Sequence, residues 1–280
     1  MESRKEMNTL IGHGFVAPDF ILEKEHVFGS QKIPDVVIQD DGNWLPFAPE
    51  AEWQARREFD TFACTIYNTT KPIQTLERKK YGTVSNYAER HPYIGLGITP
   101  PGANPHDVSE WIRGSGMCLE TSLPFDGSVT SLQLYRMPSP LPDSLVEEGK
   151  KWLEQYAYLH EWCMLPTHDI KEKHERLKEE LRRGTVSVSV CGWREKNGIY
   201  YKEDGDRDNH WTFLIAYIDD FPIVLDSYPP FIKKLDKSYN FELAKRHYIE
   251  KKVQYKPIAK PKMTWFDRFK YYFKDALQPV

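Results

Sequence analysis

The chain has 280 residues, 40 % of them hydrophobic and 28 % charged, with 38 basic side chains against 41 acidic ones and a net charge of −3. A chain of this length buries roughly three quarters of its unfolded surface and needs no disulfide framework. Its hydrophobic content excludes a disordered polymer, and its charge balance excludes a strongly basic nucleic-acid binder.

Residues 1–50 read as irregular. They carry Pro18, Pro34, Pro46 and Pro49 and turn signals at Gly29-Ser30 and Asp41-Gly42. Asp35-Val36-Val37-Ile38 predicts an edge strand. Residues 50–80 read as helix, with Asp60 or Thr61 as N-cap before Phe62-Ala63-Cys64. Ile66, Tyr67, Ile73 and Leu76 follow at helical spacing, and Pro72 predicts a kink. Residues 91–106, with four prolines and Gly95, Gly97 and Gly102, predict a long loop. Helices are expected over 107–115, stopped by Gly116, over 142–158, and over 170–183, stopped by Gly184. The period then changes to two. Residues 185–190 alternate with valines on one face, His210 opens a second strand reaching Ile218, Asp219-Asp220 turns, and a third strand from Phe221 ends at Asp226. Helices first and antiparallel strands second make an α+β pattern.

A nucleophilic thiol needs a base within reach and a group that orients the base. Cys64 stands at a predicted helix N-terminus, where the positive end of the helix dipole favours thiolate. His210 follows at a separation inside the roughly 130–150 residues that part such a cysteine from its histidine. Asp226 lies across one predicted hairpin from His210, so the two can be neighbours. There the carboxylate would hold the imidazole tautomer. Cys118, Cys163 and Cys191 read as inert, reduced thiols. His160, Cys163 and His168 match no common zinc spacing, so no metal is expected. Residues 97–102 lack the Lys-Ser/Thr of a phosphate loop, so no cofactor is expected either.

Five segments in this order resemble the papain-like cysteine peptidases. Asp60-Thr61-Phe62-Ala63-Cys64 is similar to the nucleophile turn. Residues 107–125 resemble the helix and glycine-glutamate segment that follow it, and residues 184–190 the strand before the catalytic histidine. Asn209-His210 matches the Asn-His pair, and Asp226-Ser227-Tyr228 stands where the family has Asn-Ser-Trp. Residues 27–44 are similar to phage-encoded members. The resemblance implies a two-lobed fold, with Cys64 on a helical lobe and His210 and Asp226 on an antiparallel sheet lobe. It implies a peptidase that works through a Cys64 acyl-enzyme. The chain departs from the pattern at Thr65, where the family has Trp, and at Trp211, where a small residue is usual. It also has Glu58 where the oxyanion-hole glutamine belongs, so Gln54 is the candidate for that amide. Gly97, Gly102, Trp211 and Tyr228 are the implied substrate-binding residues.

The expected organisation is an N-terminal extension over 1–45, a catalytic domain over 46–250 and a tail over 251–280. In the tail, Trp265, Phe266, Phe269, Phe273 and Leu277 predict an amphipathic helix that packs on the body or on an assembly partner. No apolar run reaches the roughly 20 residues of a bilayer span, and residues 1–14 hold no signal-peptide core. A cytoplasmic or virus-associated location is therefore expected, with a protein or peptide as substrate and no nucleic acid as partner. Two alternatives stay open. His210-Trp211 with Asp226 also resembles transglutaminase-like acyl transferases, and the departures from the pattern fit an inactive papain-fold binding or structural module.

Overall fold

A computed structural model describes residues 14–17, 33–164 and 169–252. In chain order the elements are β1 (Gly14–Phe15), α1 (Cys64–Tyr81), α2 (Arg90–Gly95), β2 (Gly102–Ala103), α3 (Pro105–Ser115), α4 (Leu132–Tyr135), α5 (Asp143–Gln155), β3 (Tyr156–Met164) and α6 (Ile170–Arg183). The strands β4 (Thr185–Val190), β5 (Arg194–Lys196), β6 (Ile199–Tyr201), β7 (His210–Ile218), β8 (Phe221–Leu225), β9 (Ile232–Leu235) and β10 (Ala244–Lys251) follow. The sheet runs β3-β10-β4-β7-β8-β9-β6-β5. Helix α1 packs on β7, β4 and β10 on one side and on α3 on the other. Helices α2–α5 form one lobe and the sheet, with α6 packed on it, the other, so the expected two-lobed α+β architecture is present.

Pro72 bends α1. Proline lacks an N–H and its ring crowds the carbonyl four residues back, and Asn68 leaves helical geometry (φ −94°, ψ 16°). The freed Asn68 carbonyl is not orphaned, because the Ser187 hydroxyl of β4 donates to it at 2.5 Å. Ser187 in turn lies 3.0 Å from His247 Nε2, and His247 Nδ1 lies 2.6 Å from the Tyr158 hydroxyl. With Ser187 donating to Asn68, the consistent tautomer has His247 donating through Nε2 and accepting from Tyr158. Burial holds His247 down at about 3, so it stays neutral.

Several sequence expectations are corrected. Residues 35–38 form no strand; instead the Ile38 and Gln39 N–H groups both donate to Arg182 O. Nearby Trp44 is buried, with its indole on Leu181 O and its main-chain N–H on Ile215 O. The 91–106 loop contains α2 and β2. Helix α3 starts at Pro105 because the Asn104 side chain caps it from His106 N–H. The helix expected over 142–158 stops at Gln155, and β3 begins at once. In β4 the serines are as buried as the valines, because a helix covers each face. The sequence reading also missed β5, β6, β9 and β10. The amphipathic tail over 265–277 and His168 lie outside the described residues. Among those residues no helix is long and apolar enough to cross a membrane.

Candidate active site

Cys64 is the first residue of α1. The N-cap is Ala63, with no side-chain cap, rather than Asp60 or Thr61. The reason is a turn just upstream. Phe62 takes a left-handed conformation (φ 58°), and Asp60 Oδ1 accepts from the Phe62 N–H at 2.7 Å. Thr61 donates its hydroxyl to Gln54 O. His210 opens β7 and Asp226 directly follows β8, which pairs antiparallel to β7, so the hairpin brings the two side chains together. His210 Nε2 lies 2.6 Å from Asp226 Oδ1, and the same ring hydrogen-bonds Cys64. All three residues are fully buried.

The charges reinforce one another. Burial by itself pushes His210 down, but the negative charges of Asp226 and Cys64 and the hydrogen bonds to both outweigh it, and the imidazole rises to about 10. Burial pushes Asp226 up, but His210 and Lys233 outweigh it and hold the carboxyl well below its ordinary range. The arrangement favours an imidazolium at His210, held by the Asp226 carboxylate on one side and by Cys64 on the other. In contrast, burial pushes Cys118 up to about 12 and also raises Cys163 and Cys191. All four cysteines are free thiols.

Gln54 is drawn into this region but faces away from the role expected of it. Its Nε2 group points at Asp60 Oδ1 (3.1 Å) and the Tyr228 hydroxyl (2.6 Å), which uses both amide hydrogens. Its Oε1 accepts from Ser227 Oγ at 2.6 Å. The Tyr228 hydroxyl donates to Asp60 Oδ2. The buried Asp60 carboxylate is a stronger acceptor than a carbonyl, so Gln54 and Tyr228 act as struts between the loop before Cys64 and the segment after Asp226. Tyr228 is buried, with its ring centroid 5.4 Å from that of His210.

Beside the pair lies a short piece of the chain itself. Strand β1 pairs parallel with β2, Gly14 against Gly102, and bridges antiparallel to His210. Only glycine fits at these two positions. A Cβ on Gly14 (φ +69°) would lie 2.2 Å from Phe62 O, and one on Gly102 (φ +130°) would lie 2.0 Å from Gly14 O. Phe15 stacks on Trp211 with centroids 5.9 Å apart, over a buried cluster of Cys64, Trp162, Trp211 and Leu243. Gly102 and Trp211 therefore both touch β1. Gly97 does not; it ends the α2 turn, its N–H on Ile94 O, and borders a separate cavity of about 610 Å³ with Trp111 and Ser139.

Sequence reasoning missed three residues here. Lys233 reaches Asp226 Oδ2 at 2.6 Å. Trp193 sets its ring against His210, centroids 5.6 Å apart. Asn68 Nδ2 spans Cys64 O (3.0 Å) and Trp211 O (2.7 Å), tying the start of α1 to β7. The Asn68 signal was readable, since it lies one turn after Cys64 and four residues before Pro72.

No family model matches the chain, and no curated protein matches it. Solved structures do. Digestive procathepsin L 3 of Tenebrio molitor larval midgut is similar over 87 % of this chain and 78 % of its own, with a TM-score of 0.57 and 12 % identity. Xylellain, a cysteine protease from Xylella fastidiosa, is similar over 87 % and 96 %, with a TM-score of 0.56 and 16 % identity. The proform of the ragweed pollen cysteine protease Amb a 11 is similar over 82 % and 70 %, at 0.51 and 13 %. The likeness to phage-encoded members finds no support among these structures. The chain has the papain-like cysteine-protease fold.

Proposed function

We propose that the protein is a cysteine peptidase acting through a Cys64 acyl-enzyme. The observation that carries this reading is the buried Cys64–His210–Asp226 chain, with His210 hydrogen-bonded to both partners. The thiolate attacks the carbonyl carbon of the scissile bond. The Cys64 main-chain N–H, at the first position of α1, would donate to the developing oxyanion. His210 gives its proton to the leaving amine, and a thioester remains. Water then attacks the thioester as His210 takes its proton. The free acid leaves, and Cys64 and His210 return to their starting state. Asp226 holds the ring throughout.

A substrate backbone would take the path that β1 takes past Gly102–Ala103 and His210, with a side chain on Trp211 where Phe15 now rests. In this reading β1 closes the site and must leave before substrate enters. A second reading, an inactive module of the same fold, draws on the committed amide of Gln54. Labelling the full chain with an epoxide-type thiol inhibitor, with mass-spectrometric mapping, separates the two when run beside a peptide-library cleavage assay. The peptidase reading expects modification at Cys64 ahead of Cys118, Cys163 and Cys191, and cleavage that Cys64→Ser removes. Unlabelled Cys64 with no cleavage overturns it.

A further inference from the structure

Strand β9 alternates so that Lys233 and Leu235 face inward while Ile232 and Lys234 face out. Lys233 is only 2 % exposed. Its Nζ lies 2.6 Å from Asp226 Oδ2, 2.7 Å from Tyr228 O and 2.7 Å from Pro230 O, so all three ammonium hydrogens have acceptors. The rings of Trp193 and Tyr200 close over it at 5.0 and 5.7 Å. The two oxygens of Asp226 are thus divided. Oδ1 takes His210 and the Ser227 N–H (2.8 Å), and Oδ2 takes Lys233.

We infer that Lys233 is a positioning residue of the catalytic group, fixing the Asp226 carboxylate through Oδ2 and balancing its charge, so that His210 faces a carboxylate neutralised from behind. A neutral amide orienting the histidine needs no cation, whereas a buried carboxylate does. The Asp226–Lys233 pair then does the work of one uncharged orienter. The inference rests on the peptidase reading for the roles of His210 and Cys64. Other groups facing the pair are Cys64 and Lys71 of α1, Tyr200 of β6 and Tyr228, which is backed by Asp60. Lys71 reaches only the main-chain oxygen of Asp226, at 2.9 Å, and also faces Glu52 and Glu89, so it does not replace Lys233.

The test follows the rate of Cys64 alkylation by iodoacetamide against pH, with the site mapped by mass spectrometry. It compares the wild type, Lys233→Met, Asp226→Asn and the double variant. Removing the cation alone should move the profile to higher pH by about one unit or more. Removing the carboxylate alone should move it to lower pH. The double variant, neutral again, should return to within a few tenths of a unit of the wild type and melt above either single variant. A brace with no electrostatic role would slow Lys233→Met without shifting its profile and would gain nothing from the second change; that result overturns the inference. If Lys233→Met does not fold, the double variant decides, because a double no more stable than Asp226→Asn refutes charge compensation. Alkylation needs no turnover. Opposed shifts in a protein that cleaves no peptide would sink the peptidase reading and leave the Lys233 assignment standing.

Discussion

If the proposed peptidase reading holds, replacing Phe15 with alanine should make peptide cleavage faster and the protein less stable. Phe15 is half-buried and stacks on Trp211 at 5.9 Å, almost parallel. Full burial of a phenylalanine side chain is worth about 1.5–3 kcal/mol. Half of that, about 0.75–1.5 kcal/mol, is the loss expected when the ring is removed. If β1 closes the site as proposed, the loss falls only on the closed form, in which Phe15 rests on Trp211. The closed-to-open ratio should therefore drop by about three- to twelvefold, and apparent kcat/KM on a peptide should rise by a similar factor while the closed form dominates. The same loss should lower Tm by about 2–5 °C. Gly14→Val attacks the same contact differently, since its Cβ would meet Phe62 O at 2.2 Å in a left-handed backbone. It should also raise activity. Initial rates on a fluorogenic peptide, with thermal melts of the same samples, check both variants. Unchanged or lower kcat/KM in both would refute the view that β1 blocks the site.

Three further outcomes are expected. Asp226→Asn should destabilise by about 3–5 kcal/mol in urea titrations, because it strands the buried Lys233 charge. A value below about 1 kcal/mol would mean that the pair stabilises little. Because the folded state raises His210 to about 10, its contribution to stability is fully present below the unfolded value near 6.5 and is lost as pH climbs through 10. His210→Gln should flatten the Tm decline over that window, and an unchanged decline would contradict the ion pair. Ser187→Ala leaves the Asn68 carbonyl and the His247 N–H without a partner, so it should cost about 1–3 kcal/mol by chemical denaturation. A cost near zero would show that water takes the place of the hydroxyl.

The sequence showed β7 and β8 because both are apolar and bounded by turns, and it showed the α1 bend because proline announces it. It hid β10, which lies between β3 and β4 and yet reads as a charged surface segment. Its charges are paired indoors: Arg246 with Glu161 at 2.6 Å and Glu180 at 3.1 Å, and Lys245 over the Trp162 ring at 4.0 Å. Hydrophobic periodicity fails where polar groups find partners inside. Strand β3 was hidden because it continues α5 without a break. In the site, Cys64, His210 and Asp226 could be read because their spacing is constrained by the chemistry. Gln54 was placed near the site but given the wrong partner, since nothing local shows that Asp60 would claim its amide. Lys233 had a signal that went unused: in Ile-Lys-Lys-Leu, alternation that turns Leu235 inward turns Lys233 inward too.

The bend in α1 also settles which parts of the protein move together. Asn68 holds Cys64 O and Trp211 O, its own carbonyl is held by Ser187, and Lys71 grips Asp226 O. The sulfur therefore rides on the sheet, although its helix leads the other lobe. A strain that reaches β4 or β7 is therefore passed to the sulfur and the imidazole together, since one stretch of backbone carries both.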